Sequence, residues 1–155
     1  MPDYPSPKAS LGHFPLPKER KSITHDFTIA GFRAYITVGL YDDGKVGEIY
    51  ISTSKEGSKL NGVCQALAIS ISIGLQSGVP LERYIEKLEH IRFEPMGFTD
   101  NKEIHSAKSI IDYIAKWLKW RFIKRVTENK SQAVSRSTGS SISMPAMAMG
   151  CKSNS

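Results

Sequence analysis

Residues 53–78 read TSKEGSKLNGVCQALAISISIGLQSG. The pattern predicts the end of a strand, a tight polar loop, and then a helix apolar on nearly every side. A helix of that kind belongs in the middle of a domain. The loop before it, Ser54-Lys55-Glu56-Gly57-Ser58-Lys59, is the leading place for chemistry in the chain. Gly57 lets the backbone turn sharply, Ser58 can cap the helix, and Lys55 and Lys59 bring positive charge. The first amides of a helix have no internal partner, so an anion is welcome there. The same residues also suit an ordinary strand-to-helix cap. The loop is not a P-loop, because the GxxxxGK[ST] spacing is absent.

The rest of the chain is arranged around this element. Residues 1–21 carry Pro2, Pro5, Pro7, Pro15 and Pro17, which block helix and sheet and predict an extended, mobile arm. Residues 24–29 alternate as a short strand, broken by Ala30-Gly31. Residues 32–41 place Phe32, Ala34, Ile36, Val38 and Leu40 on one side, which predicts a second strand. Asp42-Asp43-Gly44-Lys45 is a turn, and residues 46–53 are the returning strand. Ser77-Gly78 closes the central helix. Pro80 opens a second helix that runs to His90-Ile91, with Leu81, Tyr84, Ile85 and Leu88 at helical spacing. Residues 92–101, RFEPMGFTDN, form a loop too apolar to stand free in solvent, so it folds back on the domain or on a second subunit. A third helix spans 103–122. From residue 127 onward the composition predicts disorder.

The fold class is therefore α+β: a three-stranded antiparallel meander packed with three helices, between a proline-rich arm (1–21) and a low-complexity tail (126–155). A sheet of three strands leaves open edges, so a homodimer or higher homo-oligomer is expected.

Arg92 and Glu94 are the second candidate site. A guanidinium followed by a carboxylate in an aromatic loop can bind a base or a phosphate, or can form an internal salt bridge. His13, His25 and His105 have no partner spacing and read as surface or capping residues. Trp117 and Trp120 read as a core-and-rim pair, with a stacking platform for nucleic acid as the weaker alternative. Net charge is +6, and seven basic residues against Glu128 alone fall within 116–136. That run is either a solvated helix end or a surface for acidic partners. Of the two cysteines, Cys64 sits in the apolar helix as a small hydrophobe and Cys151 in the tail. No Cys/His cluster predicts a metal, and no apolar run predicts a signal peptide or a bilayer span. A soluble protein of a reducing, cytoplasmic compartment is expected.

The segments SITHDFTIAG, AYITVGLYDDGKVGEIYIS, SKEGSKLNG, AISISIGLQSGVPLE, HIRFEPMGFT and AKSIIDYIAKWL occur in order and without large gaps. Together they resemble the TSCPD domain found near the C-terminus of adenosylcobalamin-dependent (class II) ribonucleotide reductases. In that family the radical chemistry resides in a large barrel, which binds corrin and substrate. The resemblance thus implies that adenosylcobalamin belongs to a separate reductase body and that this chain needs no cofactor of its own. The family's cysteine-rich tail is thought to pass reducing equivalents. Here MAMGCKSNS carries Cys151 alone, and one thiol cannot form an intramolecular disulfide.

Two functions follow from the resemblance and the loop together. One is an accessory to deoxyribonucleotide synthesis that binds a nucleotide, or another phosphate-bearing small molecule, or docks on a reductase subunit. The other is a non-enzymatic module, viral proteins included, that sequesters a nucleotide or cyclic-nucleotide signal. The ligand-binding set is Lys55, Glu56, Gly57, Ser58, Lys59, Arg92 and Glu94. No residue is assigned a catalytic role.

Overall fold

A computed structural model describes residues 12–55 and 57–124. Three strands form one antiparallel sheet in the order β1-β2-β3: β1 Ser22–Ile29, β2 Phe32–Leu40 and β3 Val46–Thr53. Helix α1 is Lys59–Gln76 and α2 is Leu81–Leu88. Two-residue strands β4, Gly97–Phe98, and β5, Ser106–Ala107, pair with each other. Helix α3, Ile110–Leu118, continues into a π-helical turn, Lys119–Lys124. The α+β meander with three helices matches the sequence reading.

Alternation decides which sheet face is covered. Phe27, Ile29, Ala34, Ile36, Val38, Ile49 and Ile51 all point inward and are buried. Their neighbours Thr24, Asp26, Arg33, Tyr50 and Ser52 stay on the outer, wetter face. The register places Ile36 opposite both His25 and Ile51. Gly44 takes φ +83 in the β2–β3 turn, a conformation side chains resist. Gly39 lies under Glu48, where any Cβ would strike the carboxylate. The Arg20 guanidinium pairs with that carboxylate.

The helices sort differently from the sequence expectation. Helix α1 is not buried all round. It lays Asn61, Cys64, Ala68, Ile71 and Leu75 toward the sheet. Val63, Ile69 and Ile73 remain about 60% exposed on the opposite side. A single helical layer covers the sheet, and the described residues place nothing beyond α1. The helix enclosed on nearly every side is α3, where only Lys116 escapes full burial.

Helix α3 is also shorter than the span 103–122. Ser109 caps it, its hydroxyl accepting the Asp112 amide at 3.0 Å. Residues 103–109 form a turn and β5 instead. Helix α2 likewise stops at Leu88, with Pro80 as its N-cap residue. Loop 92–101 folds back as expected: Ala30 N–H donates to the Phe98 carbonyl and Phe93 N–H to the Lys108 carbonyl. The Phe98 ring itself is 84% exposed.

The segment from residue 12 to 21 is extended but fastened. Phe14 N–H donates to the Gln76 carbonyl at 2.8 Å, and Leu40 N–H to that of Lys21 at 2.9 Å. The expectations for residues 1–11 and for the tail from 125, Cys151 included, lie outside the described residues.

Candidate functional site

The lysine turn joins the end of β3 to α1. Gly57 has φ +73, which reverses the chain. Ser58 N–H donates to the Lys55 carbonyl at 3.3 Å, and the Ser58 hydroxyl accepts the Asn61 amide at 3.2 Å. Gly62 N–H to the Ser58 carbonyl is the first backbone bond of the helix, so the amides of Lys59 and Leu60 precede it. Lys55, Gly57 and Lys59 are exposed. No salt bridge to either lysine is formed among the described residues. Glu56 lies outside them.

The turn is held from below by Asn61. Its buried Oδ1 accepts Thr53 N–H at 3.0 Å and the Thr53 hydroxyl at 3.4 Å. One side chain thus fastens the last residue of β3 to the first turn of α1. Replacing Asn61 with alanine strands a buried amide and is expected to cost about 1–3 kcal/mol. Urea unfolding would report the loss. Hydrogen exchange would show faster exchange at Thr53.

Arg92 and Glu94 make no hydrogen bond or ion pair to this turn among the described residues. Both are exposed in the loop after α2, and no hydrogen bond or ion pair links them among the described residues. Glu94 precedes a cis peptide to Pro95 and, with Ala30 and Met96, borders a shallow cavity at the β1–β2 turn. The turn leaves β3 at this same end of the sheet, where Ser54 N–H donates to the Arg33 carbonyl at 3.0 Å, and no hydrogen bond or ion pair joins the two halves of the expected ligand-binding set among the described residues.

Sequence reasoning passes over two interior clusters. His25 is not a surface residue. Its ring lies parallel to Trp117 with centroids 4.8 Å apart, and its Nε2 bonds the Tyr113 hydroxyl at 2.9 Å. Asn101 Nδ2 donates to the same hydroxyl at 2.9 Å. A phenol proton donated to His25 Nε2 requires the neutral imidazole with its proton on Nδ1. Burial lowers the His25 pKa, against opposition from Asp100 and Asp26. Burial pushes Tyr113 up to about 12. This is a rigid aromatic stack, and its outer rim lines a cavity of about 440 Å³ with Trp120 and Arg121.

The second cluster centres on Asp112, which is fully buried. Its carboxylate accepts the amides of His90 at 2.7 Å and Lys108 at 2.8 Å, and the Lys116 ammonium at 2.7 Å. Ser109-Ile110-Ile111-Asp112 carries the signal, a capping pair three residues apart. A helix that begins at residue 103 hides it.

A cavity of about 540 Å³ lies between Phe14, Leu75, Leu81 and Phe122. That suits a drug-sized molecule. This lining holds no histidine to face a corrin cobalt. Among the described residues no group of acidic, histidine or cysteine residues is placed to hold a metal ion. No helix among them is long and apolar enough to cross a membrane.

The family model of the TSCPD domain matches residues 5–122. A vitamin B12-dependent ribonucleotide reductase of Rhodopirellula baltica is 52% identical over 103 residues, which is 66% of this chain and 10% of that protein. The enzyme of the same name from Streptantibioticus cattleyicolor is 45% identical over 108 residues, 70% of this chain and 18% of its own length. That of Agrobacterium fabrum is 40% identical over 111 residues, 71% of this chain and 9% of its own. The chain thus spans less than a fifth of these relatives. No solved structure matches.

Proposed function

The chain belongs to the TSCPD domain family, and on that premise we propose that it is a nucleotide-binding accessory to deoxyribonucleotide synthesis. The ribonucleotide reduction named by its relatives, and their vitamin B12, are assigned to a reductase body outside the matched region. The phosphate of the nucleotide is assigned to the turn formed by Lys55, Gly57, Ser58 and Lys59. One observation supports this reading above others. The turn presents two exposed lysines at the leading end of α1, and neither has a carboxylate in salt-bridge range among the described residues. A helix N-terminus flanked by lysines favours a phosphate through its dipole and its free N–H groups.

The test is a thermal shift against ribo- and deoxyribonucleoside phosphates and cyclic nucleotides. A ligand at a hundredfold excess over Kd stabilises the folded chain by about 2.7 kcal/mol. Lys55→Ala is expected to weaken the bound nucleotide by about 1.5–3 kcal/mol, the range for a hydrogen bond to a charged group. Arg92→Ala should cost less than Lys55→Ala, because the phosphate is assigned to the turn and Arg92 makes no hydrogen bond or ion pair to it among the described residues. A flat panel, or an effect confined to Arg92, would overturn the assignment. Binding only of cyclic nucleotides would point to the sequestering module.

A further inference from the structure

The outward face of α1 has a pattern that the nucleotide proposal does not use. From Leu60 to Leu81 the chain carries no charged residue, although its net charge is +6. Val63, Ile69 and Ile73 stand 62%, 58% and 62% exposed on that face. Ala66 and Ser70 lie between them, also exposed and small enough for another backbone to approach closely. The face is nearly symmetric about Ala68: Val63 mirrors Ile73, Ala66 mirrors Ser70, and Ile69 mirrors the half-buried Leu67. On a wheel of 100° per residue, the exposed positions among these cluster opposite the buried Cys64, Ala68, Ile71 and Leu75.

The ends of the helix are matched in charge as well. Helix α1 has no acidic residue in its first turn and no basic residue in its last, so no charged side chain of the helix itself offsets either end of its dipole. Its N-terminus carries Lys59, and at its C-terminus the carbonyls of Ile73, Gly74, Leu75 and Gln76 accept backbone N–H groups but no cation among the described residues.

We propose that a second copy of this chain covers this face, with the two α1 helices crossing antiparallel about a two-fold axis near Ala68. A two-fold contact requires each patch to complement itself. Here Val63 meets Ile73 of the other copy, and Ala66 meets its Ser70. The N-terminal end of each α1 then lies beside the carbonyl end of the other, so the two helix dipoles oppose each other. Because the apolar centre is uncharged, two copies of a basic protein can meet without like-charge repulsion. The contact uses α1 and leaves the open sheet edges unpaired.

Sedimentation equilibrium on the full chain, under reducing conditions, tests this. A single pair of helices falls below the roughly 1,200 Å² that marks the low end of specific interfaces, so a reversible dimer of micromolar dissociation constant is expected. Ile73→Glu and Ser70→Lys should each weaken dimerisation at least tenfold. Both positions are exposed, so unchanged circular dichroism should show that folding is kept. Adding Ala66→Glu to Ser70→Lys should restore the dimer, because the new carboxylate of one copy then faces the new ammonium of the other. A wild-type monomer at roughly 200 µM would overturn the proposal, as would dimers indifferent to both substitutions or a double variant that stays monomeric. The nucleotide reading fails separately: a dimer that binds no nucleotide refutes that reading alone.

Discussion

Replacing Asp112 with alanine is expected to remove about 3–5 kcal/mol of folding stability, the usual cost of breaking a buried ion pair at one partner. The carboxylate is fully buried and ties three elements together. It receives the His90 amide from the end of α2, the Lys108 amide ahead of α3, and the Lys116 ammonium one turn along α3. Without it, two amides lose their acceptor and a half-buried ammonium loses its counter-ion. His90 has φ +77, a conformation that a residue with a side chain adopts at a cost and that needs such an anchor. In a domain of this size the melting temperature should fall by more than roughly 12 °C.

The same group predicts a pH dependence. Burial by itself would raise the Asp112 pKa. The Lys108 amide, the Lys116 ammonium and the His90 amide outweigh it and hold the carboxyl below its ordinary value. A carboxyl with a depressed folded pKa stabilises above its unfolded pKa, near 4, and loses that contribution as pH falls through the folded value. Urea melts of the wild type should therefore weaken below about pH 4, whereas Asp112→Asn should lose stability at pH 7 and show a flatter acid limb. A cost below about 1 kcal/mol for Asp112→Ala would mean that water can replace the carboxylate at both amides.

The sheet was legible in the sequence because alternation is a direct record of burial. Phe27/Ile29, Ala34/Ile36/Val38 and Ile49/Ile51 all point inward, as their period of two requires. Cap chemistry was legible too: Ser58 and Gly57 do what a short polar residue and a glycine do at a strand-to-helix junction. The rank of the helices was not. Apolar composition makes α1 look central, yet composition does not record how many layers surround a helix. Helix α3 carries Asp112 and Lys116, which lower its apparent apolarity, but those two charges satisfy each other in the interior. His25 is misread for a related reason. A lone histidine has no spacing to betray it, and its partners Asn101, Tyr113 and Trp117 are at least 76 positions away in the chain.

Of the candidate site, the lysine turn could be placed because all its members are contiguous. Its place relative to Arg92 and Glu94 could not, because that depends on strand order. The turn leaves β3 beside Arg33, and the loop carrying Glu94 meets the β1–β2 turn at Ala30, at the same end of the sheet.

Phe27→Ala is expected to cost about 3–5 kcal/mol, the range for removing a buried phenyl ring. Phe27 is fully buried in β1, its ring stacked on Tyr113 at 4.2 Å between centroids. The Tyr113 ring therefore depends on Phe27 for its position, and the Tyr113 hydroxyl in turn fixes His25 and Asn101. The cavity would open between sheet and α3, where backbone on both sides resists collapse. Phe27→Leu keeps most of the volume and should lose less, about 1–1.5 kcal/mol. Tyr113→Phe removes only the hydroxyl and should cost about 1–3 kcal/mol by stranding Asn101. Guanidinium unfolding of the three variants gives the ranking. The aromatic stack and the lysine turn lie on different elements, so any variant that stays folded should bind nucleotide with wild-type affinity. A Phe27→Leu protein with intact secondary structure and lost nucleotide binding would move the ligand from the α1 turn to the cavity at the rim of the stack, beside Trp120 and Arg121.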